Sequence, residues 1–117
     1  MLKTRTMRKK YKEYADVLEH INLDNSSIDD LNTFEQNFTQ NLALFKGRVM
    51  VTQGYLSKCE NYLIYLKYHP TLFSSFEAAI TKYAQKIFTE QLQILQNSVT
   101  LTESFLIRIR WKINSKT

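Results

Sequence analysis

The stretch IDDLNTFEQNFTQNLALFKGRVMVTQGYLSKCENYLIYLKYHP, residues 28–70, decides the fold. Its apolar side chains recur at Ile28, Leu31, Phe38, Leu42, Phe45, Val49, Leu56, Cys59, Leu63 and Leu66. Alternating steps of three and four residues keep one side of a helix against a partner helix. Pro70 ends the run, because proline disfavours helical geometry at the residue before it. A second run follows, with Phe76, Ile80, Tyr83 and Ile87 in its first half and Phe88, Leu92, Leu95, Val99, Leu106, Ile109 and Ile113 in its second. Two runs separated by a short turn predict a long antiparallel helical hairpin over 27–69 and 75–113. The first of these helices is roughly 60 Å long at 1.5 Å per residue.

Working outward, Ser74 followed by Glu77 reads as a capping box that restarts the chain after Pro70. Upstream, Asp24, Asn25, Ser26 and Ser27 turn the chain and cap a helix, and Asp29 and Asp30 place negative charge on its first turn. Tyr11, Tyr14, Ala15, Leu18 and Ile21 share one face and predict a shorter helix over 3–22. Gly47 and Gly54 are the weak points of the long helix, each costing about 1 kcal/mol relative to Ala. A break there would give a four- or five-helix globule. The apolar phase runs through Phe45, Val49, Thr52 and Leu56 unshifted, so a continuous or gently kinked helix is expected. Near its end the last helix is apolar on a second stripe, at Ile94, Leu101 and Phe105. That end needs two neighbours, and the first helix is long enough to be the second of them. The expectation is a single all-α domain over 1–117, a coiled-coil-like three-helix bundle at one end and a bare two-helix tip at the other.

Composition agrees. A chain of 117 residues can bury a core without disulfides or metals. Gly occurs only 2 times and Pro 1 time, too few for the turns of a β-rich fold. No apolar stretch is long enough to cross a bilayer, and the basic start runs into Tyr, Lys and Glu where a signal peptide needs an apolar segment. An intracellular, cytoplasmic protein is expected, with the nucleus left open. Cys59 lies on the apolar stripe and reads as a small buried side chain.

The formal charge of +5 is made at the termini. Lys3, Arg5, Arg8, Lys9, Lys10 and Lys12 precede the first acid, Glu13, whereas Arg108, Arg110, Lys112 and Lys116 follow the last, Glu103. Cations favour the carbonyl end of a helix, so the second cluster has a structural reading beside Asp29, Asp30 and Asp24. The first cluster opposes the helix dipole and repels itself across i, i+3 and i+4. It reads as a frayed basic tail over 1–12, or as a surface awaiting acid from this protein or its dimer mate, an acidic partner, a nucleic-acid backbone or an anionic membrane.

Catalysis finds no constellation. His20 and His69 lack the neighbours of a metal site, the glycines form no phosphate loop, and Glu60, Glu77, Glu90 and Glu103 are too far apart for paired acid–base work. The chain is expected to be no enzyme and to carry no cofactor. Val51, Tyr55, Tyr62, Tyr65 and Tyr68 lie partly outside the main stripe near the tip, and exposed tyrosines of that kind mark a protein interface, most simply a homodimer. A helical assembly or adaptor protein leads. The alternatives are a small nucleic-acid-binding accessory protein, gripping phosphates through its basic termini with Trp111 as a stacking ring, and a membrane-surface helical dimer.

Overall fold

The computed structural model describes residues 3–117, so the first two positions of the basic segment lie outside the described residues. The chain runs up, down and up as α1 (Thr4–His20), α2 (Ile28–Tyr68) and α3 (Ser74–Lys116). It forms a rod of 67 × 22 × 16 Å. Helices α2 and α3 are the expected antiparallel hairpin, and α1 lies parallel to α3 over the half that contains the chain termini.

Each boundary has a local cause. The Ser27 hydroxyl accepts from the Asp30 backbone amide at 3.1 Å, and Asp29 and Asp30 sit in the first turn of α2, where negative charge suits the helix dipole. Helix α2 then runs unbroken for 41 residues. Neither Gly47 nor Gly54 has a positive φ, so the broken, globular alternative is set aside. The Ser74–Glu77 capping box does not form. Phe73 is the residue before α3 and supplies no side-chain cap. Ser74 is instead already helical, and its hydroxyl accepts from the Thr71 amide. Glu77 is drawn across the hairpin, where its carboxylate accepts from the Tyr62 hydroxyl at 2.7 Å.

The core lies at the three-helix end. Leu18, Leu23, Leu31, Phe38, Phe105, Leu106 and Ile109 form one buried cluster, with Phe38 edge-on to Phe105 at 5.1 Å between ring centres. Helix α1 is keyed to α3 by polar pairs. Arg8 bridges Glu90 at 3.1 Å, and Gln91 donates to the Thr4 hydroxyl at 3.2 Å. Thr102, fully buried, gives its one hydroxyl proton to the Ser98 carbonyl at 2.8 Å. At 2.7 Å it therefore accepts from the Tyr14 hydroxyl. The Tyr14 ring reaches the other way, to Phe38 at 6.2 Å and Phe45 at 5.5 Å. Helix α1 thus packs on α3 and reaches α2 through side chains such as the Tyr14 ring, on one side of the hairpin. Basic residues near the end of α3 then clamp the connection into α2. Lys112 pairs with Asp24, Lys116 donates to the Ser26 carbonyl, and Arg110 bridges Glu35 at 3.2 Å. Of the expected Asp24, Asp29 and Asp30, Asp24 takes one of these charges, and Glu35 takes another.

One expectation about α3 fails. Phe76, Ile80 and Tyr83 stand in the apolar run, yet all three are exposed, at 67%, 52% and 67%. The residues turned toward α2 over that half are Glu77, Ala78, Thr81, Ala84, Gln85 and Phe88. At 100° per residue the Phe76–Ile80–Tyr83 stripe is rotated by about a third of a turn from this line. The tip seam is therefore lopsided, with Leu56, Cys59, Leu63 and Leu66 of α2 set against small and polar side chains of α3.

Candidate protein interface

The stripe displaced from the seam of α3 has a definite course. Phe76, Ile80, Tyr83 and Ile87 continue in the same phase to Ile94, Leu101 and Phe105. Those last three residues are where α1 packs: Ile94 lies with Tyr11 and Tyr14, while Leu101 and Phe105 lie with Ala15 and Leu18. A single apolar stripe thus runs the length of α3, and α1 covers only the half toward the C-terminus. Beyond the start of α1 the same groove continues to the tip, and among the described residues no other helix covers it.

The α2 side of the open half is aromatic. At the end of α1 a cleft of about 680 Å³ is bounded by Met7 and Lys10 of α1, Gly47, Val51 and Tyr55 of α2, and Phe88 of α3. The Tyr55 ring stacks on Phe88 at 5.1 Å. Further on, Tyr62 stacks on Tyr65 at 6.1 Å, and Tyr65 on His69 at 4.7 Å. Helical phase places Val51, Tyr55, Tyr62 and Tyr65 on the flank of α2 that faces the same side as the α3 stripe. Tyr68, expected with them, projects farther round the helix with the Lys67 ammonium above its ring. Accepting the Tyr62 proton, the Glu77 carboxylate pushes that phenol above the usual tyrosine range, and partial desolvation adds to the shift.

The α3 half of this surface, with Phe73 and Leu72 at its end, was missed by reading the α3 run as seam. The signal was present in the sequence: seven-residue steps link Ile80 to Ile87, Ile94 and Leu101. Together the two flanks make a surface two helices wide, lined by exposed side chains from both.

The basic residues divide differently. From Thr4 the N-terminal cluster is helical. Arg8 is held by Glu90, whereas Lys3, Arg5, Lys9, Lys10 and Lys12 have no ion pair among the described residues. Arg108, Arg110 and Lys112 lie at the other end of α1, so the two clusters do not merge into one surface. Lys112 and Arg110 are engaged by Asp24 and Glu35, and the Lys112 hydrogen bond and charge hold the Asp24 carboxyl below the usual carboxylate range. Arg108 lies over the Phe105 ring at 5.6 Å. Trp111 is exposed beside a cleft of about 600 Å³ that also includes His20, Arg108 and both charges of the Asp24–Lys112 pair.

Among the described residues no group of His, Cys, Asp and Glu is placed to hold a metal ion, and no helix is long and apolar enough to cross a membrane. Comparison of the chain with protein-family models, curated proteins and solved structures finds no match.

Proposed function

We propose that the protein is a non-enzymatic assembly module that works by offering the open half of its hairpin groove to other protein helices. The observation that carries this reading is the continuous α3 stripe, covered by α1 over one half and bare over the other. A stripe that packs a helix at Ile94, Leu101 and Phe105 has the chemistry to pack one at Phe76, Ile80 and Tyr83. Apolar surface of this extent, built from aromatic side chains that keep a polar edge, is the composition that protein interfaces favour. The buried core lies where α1 docks and the aromatic surface lies on unbroken helices beside it, which suits a scaffold.

A polyanion-binding reading stands second, supported by the five cations on or beside the first turns of α1 that lack acidic partners. The two readings separate on salt. Helix-to-helix association through the groove persists as salt is raised and fails in Tyr65→Asp. Binding to a nucleic-acid backbone weakens steeply with salt and fails when Lys3, Arg5, Lys9, Lys10 and Lys12 become Gln. Sedimentation at low and high salt, with and without a duplex oligonucleotide, measures both. Association seen only with the oligonucleotide overturns the assembly reading.

A further inference from the structure

We propose that the open half-groove is filled by the same half of a second copy, the two hairpin tips lying antiparallel across a two-fold axis near Tyr83. The tip helices of both copies then make a four-helix bundle, closed at either end by the N-terminus of an α1 helix. The inference rests on reading the open half-groove as a docking surface, and it names the occupant.

Three features select a second copy. The first is area. Val51, Tyr55, Tyr62 and Tyr65 on α2, with Phe73 just before α3 and Phe76, Ile80 and Tyr83 on it, are each 39–67% exposed. With about 150–250 Å² for each aromatic side chain, that surface comes to roughly 800 Å² per copy, the size a specific dimer needs. The second is shape. The surface spans both helices, and a two-helix tip is wide enough to cover both flanks along its whole length. Because the groove is part of the tip, its open length and the length of the tip that enters it are the same, which is the self-complementarity of a two-fold interface.

The third feature is the position of α1. It occupies the groove as far as Thr4, so two copies placed side by side in parallel would bring their α1 helices into the same space. Only the antiparallel arrangement avoids that overlap, and it brings each tip up to the end of the other copy's α1. The axis falls midway along the open half, which places Tyr83 opposite its own counterpart.

The test uses the full chain in a Cys59→Ala background. Tyr83→Cys should oxidise to a covalent dimer, while Glu60→Cys, at the same level on the opposite flank, should not. In the wild-type chain, light scattering at micromolar concentration should give twice 13.9 kDa at low and high salt alike. Ile80→Asp should return it to 13.9 kDa with unchanged helicity, since this side chain is 52% exposed in the single chain and its replacement leaves the core intact. A wild-type mass of one chain overturns the proposal, as does a dimer indifferent to Ile80→Asp or joined equally through Glu60→Cys. A dimer of that last kind leaves the assembly reading in place and removes only the tip overlap. A monomer that binds nothing but polyanions removes both.

Discussion

Ile109 and Ile107 differ by two positions and by the whole of their environment, the first fully buried and the second 66% exposed. Replacing Ile109 by Ala opens a cavity in the three-helix core and should cost about 2–5 kcal/mol, whereas Ile107→Ala should stay within about 0.5 kcal/mol. Urea denaturation measures both. The Tyr62–Glu77 pair gives a pH signature of known sign. A phenol raised in the folded state contributes stability that is fully present below the unfolded tyrosine value of about 10 and is lost as pH rises through the folded value. Tyrosine-labelled NMR should show Tyr62 ionising above the ordinary range and returning to it in Glu77→Gln. The Asp24 carboxyl has the opposite sense. Its contribution is present above the unfolded aspartate value and is lost as pH falls through the lowered folded one.

Each helix leans on its neighbours to a different degree. Helix α2 carries two glycines that the single chain does not require: a Cβ added at Gly47 or at Gly54 meets nothing within 4 Å, and neither has a positive φ. Alanine at each site should therefore raise stability by about 0.4–1 kcal/mol, through the backbone freedom removed from the unfolded chain. A fall in the denaturation midpoint would mean that something not visible in one chain approaches these positions. The α2 stripe was legible in sequence because its three- and four-residue steps follow the seam with α3 over its whole length, and Leu31, Phe38, Leu42, Phe45, Leu63 and Leu66 all turn inward as expected. Helix α3 was harder because it serves two partners. Its inward line over the tip is made of Glu77, Ala78, Thr81 and Gln85, which no hydrophobic pattern reveals, and its loudest apolar stripe faces the empty groove. The polar keys of α1, Thr4 to Gln91 and Tyr14 to Thr102, join residues that lie far apart in the chain and carry no local signal.

Across the whole molecule, stability is graded along the rod. The buried core is gathered where α1 completes the bundle, while beyond Gln91 the tip buries only Thr52 and Leu66. Such a distribution predicts opening from the tip and global protection at the other end. The basic ends follow the same gradient: the α3 cations fasten the closed end through Asp24, Ser26 and Glu35, and those of α1 mark the step where the groove opens. Hydrogen exchange followed residue by residue at low and high protein concentration tests the account most directly. Amides over 62–68 and 76–83 should gain protection as concentration rises, while those over 98–109 stay slow throughout. A tip that exchanges equally fast at every concentration would contradict the claim that the open half of the groove is a surface for assembly.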